Sequence, residues 1–230
     1  MSESALESVR TVDLEKVYDR PRIPVVALQA VNLSVAKGEF LAVVGPSGSG
    51  KTTLLNLIGA LDRPTGGGIY IEGKDIASLS GGGQAEMRLR RIGFVFQEFN
   101  LIPVLTAIEN VEYVMLLQGV DRKTRQAKSR AILEEVGLGG LEDRRPGELS
   151  GGQQQRVAVA RAIVTEPAIV LADEPTANLD SETGASLLDL MNKLNRDKQV
   201  TIIVSTHDSM VVERVSRVVR MRDGRLAAAD

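Results

Sequence analysis

Apolar residues along this chain come in two textures. The first is the short, nearly unbroken run. Phe40–Val44 (FLAVV), Ile92–Phe96 (IGFVF), Ala168–Ala172 (AIVLA) and Val200–Ser205 (VTIIVS) all have this form. Such runs suit strands buried on both faces. The second texture is helical spacing, at Thr52–Ala60, Gln84–Arg91, Gly152–Val164 and Glu182–Leu194. Strands alternating with helices predict an α/β fold with a mostly parallel sheet and ligands at the strand C-terminal ends. The N-terminal part reads differently. Thr11–Val17 alternates like an edge strand, Val25–Val35 reads as a second strand and Ile69–Ile71 as a short third. Residues 1–10 read as a frayed end. Asp19–Pro24 reads as a loop, Asp62–Gly68 as a breaker cluster and Leu79–Gly83 as a glycine-rich loop. A short helix near Ser209–Arg214 and a hairpin turning at Asp223-Gly224 close the chain.

Between the strand ending at Phe96 and the helix at Gly152 the pattern becomes helical with polar faces. Thr106–Leu117 and Arg122–Val136 read as helices, and residues 98–149 as a helical subdomain inserted into a single domain spanning 1–230. The basic run Arg122, Lys123, Arg125, Lys128 and Arg130 reads as a solvated helix face.

Composition narrows the class. Hydrophobic residues make up 43% of the 230 residues but aromatics only 3%, so the core is aliphatic. A net charge of −2 gives no bulk drive toward nucleic acid or anionic lipid. The absence of cysteine excludes disulfides and thiolate metal sites and fits a reducing cytosol. No run approaches the ~20 apolar residues of a membrane span, and Met1–Arg10 lacks the apolar core of a signal peptide. The expectation is a soluble protein able to dock on a membrane protein.

The chemistry centres on Gly45–Thr53 (GPSGSGKTT), which fits G-x-x-x-x-G-K-[ST]. It lies between an apolar strand and a helix, the context the motif needs. Gly45, Gly48 and Gly50 let backbone N–H groups turn inward into an anion nest, with Ser47, Ser49 and Thr53 among them. The helix N-terminus adds its free donors. Lys51 supplies a point charge for β/γ-phosphates and Thr52 a hydroxyl for Mg²⁺, which implies a nucleoside triphosphate ligand. Asp173 ends an apolar strand and is placed to hold Mg²⁺, directly or through water. Glu174 follows it and could accept a proton from an attacking water. Gln97 ends another buried strand, where its amide could contact Mg²⁺ or its water. His207, the single histidine, follows a third strand and reads as a donor to the γ-phosphate. Leu149-Ser150-Gly151-Gly152-Gln153 precedes a helix and forms a second anion-binding N-terminus. Two phosphate-gripping surfaces in one chain call for a second ligand or a second chain.

These motifs, in this order, resemble those of the ATP-binding cassette (ABC) ATPases over essentially the whole chain. The likeness covers Walker A at Gly45–Thr52, the Q-loop at Gln97 and the LSGGQ signature at Leu149–Gln153. It continues through Walker B at Ile169–Asp173, the catalytic-type Glu174, the D-loop at Asn178-Leu179-Asp180 and the switch His207. The resemblance implies a P-loop NTPase RecA-like core with a parallel-rich sheet, an N-terminal antiparallel β subdomain and the helical insert. It implies ATP and Mg²⁺ as ligands, with adenine stacked on Tyr18, although Tyr18 also reads as a strand-end core tyrosine. It implies a head-to-tail homodimer around two ATP, with Ser150 and Gly152 of one chain on the γ-phosphate held by Lys51 of the other and Asp180 at the same interface. Its further implied partner is a transmembrane permease at the cytoplasmic face, with a periplasmic or extracellular adaptor and no nucleic acid. Ile92–Gln97, Asn100–Pro103, Leu105–Val111 and Leu149–Val157 resemble cassettes of the macrolide-exporter and lipoprotein-release type. An importer ATPase, or a soluble cassette acting on DNA or ribosomes, shares the same core motifs. Leu79–Gln84 (LSGGGQ) imitates the signature but precedes the Q-loop strand, and is read as a linker.

Overall fold

A computed structural model describes residues 7–19 and 24–227; the part of the N-terminal end at 1–6 and of the proline loop at 20–23 lies outside them. The first strand, β1, is Glu7–Tyr18, followed by β2 Val25–Ala36, β3 Phe40–Val44, helix α1 Lys51–Ile58, β4 Gly66–Ile71 and β5 Lys74–Asp75. Next come α2 Gly81–Arg91, β6 Ile92–Val95, α3 Ala107–Leu117, α4 Arg122–Glu135 and a 3-10 turn at Pro146–Glu148. The chain continues with α5 Gly151–Ile163, β7 Ile169–Asp173, α6 Ser181–Lys198, β8 Thr201–Thr206, α7 Ser209–Val212, β9 Arg217–Arg222 and β10 Arg225–Leu226.

Six strands form one sheet in the order β10-β9-β3-β8-β7-β6, parallel except for the β10–β9 hairpin. The unbroken apolar runs have a direct cause. Successive strand side chains point to opposite faces. Phe40, Ala42 and Val44 of β3 enter one core, with Val170, Ala172, Ile202 and Val204 from its neighbours. Leu41 and Val43 enter the other, with Ile169, Leu171 and Ile203. The first core is closed by α3, α4, α5 and α6 through Val111, Leu133, Val157 and Leu188. The second is closed by α1 and the antiparallel sheet through Leu54, Leu57, Val31 and Ile69. Each buried aliphatic side chain contributes about 1.5–3 kcal/mol, so a polar residue in any of these runs would be costly on either face.

The antiparallel sheet, ordered β2-β1-β4-β5, corrects three expectations. β1 is an inner strand, paired with β2 on one side and β4 on the other. Its alternation reported one buried face, which an inner strand shows as readily as an edge. It also begins earlier than expected, because Ser8 and Val9 are buried and Ser8 Oγ lies 2.8 Å from Thr201 Oγ1. The supposed breaker Gly66–Gly68 instead opens β4, where a Cβ on Gly67 would stand 2.2 Å from the Asp13 carbonyl oxygen. Glycine is what lets β4 cross the irregular stretch of β1. The stretch Leu79–Gln84 is likewise not a linker. Ser80 accepts a hydrogen bond from the Gly83 amide and caps α2, so three poor helix formers sit in a capped first turn.

Candidate active site

The turn from β3 to α1 carries two glycines in left-handed conformations, Gly48 with φ of 79° and Gly50 with φ of 104°. Gly45 is constrained differently, since its Cβ would lie 2.3 Å from the Met221 carbonyl oxygen. The loop is thus wedged against β9. Lys51 is 7% exposed, and its ammonium donates to the Gly45 and Pro46 carbonyls at 2.8 and 3.2 Å. The cation therefore lies across the mouth of its own loop. Ser49 is turned inward, its Oγ buried and without a hydrogen bond among the described residues.

Sheet register assembles the acidic half. Asp173 on β7 pairs with Ser205 on β8, which pairs with Val43 on β3, two residues before Gly45 opens the loop. Asp173 Oδ1 accepts from Thr52 Oγ1 at 3.2 Å and from the Ser205 hydroxyl. Glu174 has φ of 46° and its amide donates to the Ser205 carbonyl at 3.1 Å. That turn carries its carboxylate to His207, whose Nδ1 is 2.9 Å from Glu174 Oε1. No lysine or arginine pairs with Asp173 among the described ion pairs. The paired Thr52 hydroxyl and Asp173 carboxylate are hard oxygen donors of the kind that fit Mg²⁺, and Gln97 lines the same cleft as Thr52.

A cleft of about 880 Å³ joins the loop to Gln97, Glu174 and His207, whereas Gly45, Ser49 and Asp173 lie behind its lining. Ser47, Gly48, Gly50, Lys51, Thr52 and Thr53 line it from the loop and first helical turn. Gln97, Glu174 and His207 line it from the strand ends, and Tyr18 with Val25 and Val26 from the antiparallel sheet. Tyr18 Oη donates to Asp62 Oδ2 at 2.9 Å. Burial, then that bond, raises its phenol above the usual range.

The structure does not bring Ser150, Gly151, Gly152, Gln153 or Asp180 into this cleft. Ser150 caps α5, accepting from the Gln153 amide at 3.3 Å while Gln153 Oε1 accepts from the Ser150 amide at 2.9 Å. Asp180 caps α6 through the Thr183 amide and hydroxyl at 2.9 and 2.7 Å. Those bonds hold its carboxyl below the usual range. The two caps adjoin, because a Cβ on Gly152 would stand 2.4 Å from Thr183 Cγ2.

Of the side chains that hold the segment after β6, sequence reasoning named only Asn178, as part of the D-loop, and gave no such role to Gln155 or Arg161. Gln155, fully buried on α5, donates to the Phe96 and Pro175 carbonyls at 3.3 and 2.7 Å. Arg161 donates to the Phe99 and Asn100 carbonyls at 2.9 and 2.5 Å, and Asn178 to that of Gln97 at 3.0 Å. The available signal was slight: Arg161 is a lone charge in the apolar stretch Val157–Ile163.

A family profile described as ABC transporter matches residues 28–177. The chain belongs to the ABC transporter family. The cassette is 44% identical to the lipoprotein-releasing system ATP-binding protein LolD of Geobacter metallireducens, over 96% of this chain and 98% of that one. It is also 44% identical to the macrolide export ATP-binding/permease protein MacB of Syntrophobacter fumaroxidans, over 95% of this chain but 31% of that longer protein. Among solved structures, the dimeric post-hydrolysis state of the ATP-binding cassette MJ0796, bound to ADP and Pi, superposes with a TM-score of 0.89 at 41% identity. That match covers 96% of this chain and 97% of that one. The cassette is thus an ATP-binding, ATP-hydrolysing transporter subunit with the expected α/β fold. No helix among the described residues is long and apolar enough to cross a membrane.

Proposed function

We propose that the cassette powers export or extraction, working as a head-to-tail homodimer around two ATP at the cytoplasmic face of a membrane permease. The observation that carries this reading is the separation of two phosphate-suited surfaces. The phosphate loop lines the cleft, whereas the capped start of α5 at Ser150–Gln153 does not. Two copies placed head to tail put Ser150 and Gly152 of one against the γ-phosphate at Lys51 of the other, with Asp180 at the seam.

Each residue then has a task. A triphosphate offers Lys51 stronger, charge-assisted partners than the two carbonyls it now holds. Loop amides and the Thr53 hydroxyl face the phosphates, and Tyr18 faces the base. Thr52, Asp173 and Gln97 would hold Mg²⁺, which neutralises charge on the phosphate oxygens. Glu174 takes a proton from the water that attacks the γ-phosphorus. The new P–O bond forms as the bond to the β–γ bridging oxygen breaks, giving ADP and phosphate. His207 orients Glu174 and donates toward the γ-phosphate. Residues 98–149 act as the insert that meets the permease. Val104 before α3 and Leu116 and Leu117 at its end, respectively 74%, 49% and 57% exposed, leave apolar side chains for a partner to cover. The relatives named for macrolide export and lipoprotein release favour export or extraction, with an extracytoplasmic adaptor as a further partner.

The test is Glu174→Gln, which keeps the shape but cannot take the proton. With saturating Mg-ATP it should bind nucleotide, lose turnover and run as a dimer on a sizing column. A monomer under those conditions would sink the two-copy mechanism.

A further inference from the structure

Resting on the reading that Tyr18 faces the base, we infer that Lys16 and Asp62 are positioning residues that set the Tyr18 ring as a nucleobase platform. Three groups share one carboxylate arrangement. Asp62 Oδ1 accepts from Lys16 Nζ at 2.7 Å, and Asp62 Oδ2 accepts from Tyr18 Oη at 2.9 Å. Lys16 Nζ also donates to the Arg63 carbonyl at 2.7 Å and stands 4.7 Å from the Tyr18 ring centroid. Lys16 is 8% exposed and does not line the nucleotide cleft, whereas Tyr18 does. The ring therefore separates the cation from the cleft.

These contacts control different freedoms of the ring. The hydrogen bond to Asp62 fixes where its hydroxyl end lies. The ammonium against one face, held by a carboxylate and a carbonyl, fixes the plane and occupies that face by cation–π attraction. What remains for a ligand is the side toward the cleft, where Val25 and Val26, 42% and 50% exposed, add apolar surface. A stacking surface fixed before binding saves the ordering cost that a free tyrosine would incur on binding. The phenol is pushed up by burial and then by Asp62, so it remains a donor to that carboxylate at neutral pH.

A bare structural latch between β1 and the turn after α1 would use the same ion pair. The two roles differ in what they do to a ligand without a base. Binding of Mg-ATP and of Mg-tripolyphosphate is measured by calorimetry for Lys16→Met, Asp62→Asn, Tyr18→Ala and the double variant Lys16→Met/Tyr18→Ala. Tyr18→Ala should weaken ATP about tenfold, within what stacking on one ring supplies. Lys16→Met and Asp62→Asn should each weaken ATP about threefold or more, a fraction of that same stacking, and leave tripolyphosphate unchanged. Lys16→Arg, which keeps a cation over the ring, should stay within about twofold of the parent. The double variant should bind ATP no more weakly than Tyr18→Ala. ATP binding unchanged in Lys16→Met, or additive losses in the double variant, would overturn the positioning role while leaving Tyr18 as a platform. Equal weakening of both probes would mark the pair as a structural latch. ATP binding unchanged in Tyr18→Ala would remove the platform itself, and the inference with it.

Discussion

Asp173 accepts from two hydroxyls on one carboxylate oxygen, which fixes its rotamer and leaves Oδ2 for other partners. Ser205 is fully buried and does not line the cleft, and its hydroxyl bonds to Asp173, so removing that hydroxyl acts through Asp173. Partners that orient a metal ligand commonly affect metal affinity about 10–100-fold. Ser205→Ala should therefore raise the Mg²⁺ concentration needed for half-maximal ATPase by about tenfold, with ATP binding in the absence of metal unchanged. A titration giving the parent's midpoint would show that Thr52 alone suffices. Glu174 carries a different constraint. A non-glycine residue at positive φ costs about 1–2 kcal/mol, and here that conformation turns the carboxylate toward His207.

Among the elements, helix starts carry local stability together with several of the proposed site residues. Ser80 and Ser150 both cap helices, so losing either hydroxyl costs about 1 kcal/mol of stability. Their predicted functional weights differ. Ser80→Arg should melt slightly earlier and keep its ATPase, whereas Ser150→Arg should abolish turnover. Ser150→Asp is sharper, because aspartate caps as well as serine but would repel a γ-phosphate. It should melt like the parent and lose ATPase activity; retained activity would place the signature away from the phosphate. Asp180 adds a pH dependence. Its folded carboxyl titrates below its usual value, so the cap stabilises fully above about pH 4 and that stability fades as pH falls through the lowered folded value. Asp180→Ala should melt below the parent at pH 7, and the gap should close toward pH 3. A constant gap across that range would mean that the charge on Asp180 does not contribute.

At the scale of the molecule, the strand ends, the signature helix and the segment after β6 form one connected body. Gln155, Arg161 and Asn178 bind four consecutive or near-consecutive carbonyls, those of Phe96, Gln97, Phe99 and Asn100. Phe99 and Asn100 lie at φ of 58° and 47°, so these side chains hold a turn the backbone would otherwise avoid. Burial lowers the Arg161 guanidinium below its usual range, although it remains a cation. Arg161→Leu should reduce ATPase more than ATP affinity, because Gln97 would lose its setting while the phosphate loop kept its own. A two-copy mechanism also predicts that ATPase activity per milligram rises with protein concentration in the detached cassette. Activity independent of dilution would indicate a self-sufficient monomer.

The parallel sheet and the order of its motifs can be read from the residues alone. Strands such as β3 and β7 have both faces buried, and unbroken apolar runs such as FLAVV report that without reference to partners. The phosphate loop was equally readable, since its glycines answer to local dihedral demands at Gly48 and Gly50. Features that depend on pairing across the chain emerge only in the folded protein. Hydrogen bonding on both sides made β1 an inner strand, and close approach to Asp13 made Gly67 part of β4. The same holds for Lys16 with Asp62, Ser205 with Asp173 and Arg161 with Phe99, pairs 46, 32 and 62 residues apart. Local periodicity records which side of an element is buried. It carries no record of which distant carbonyl or carboxylate the fold will bring within 3 Å.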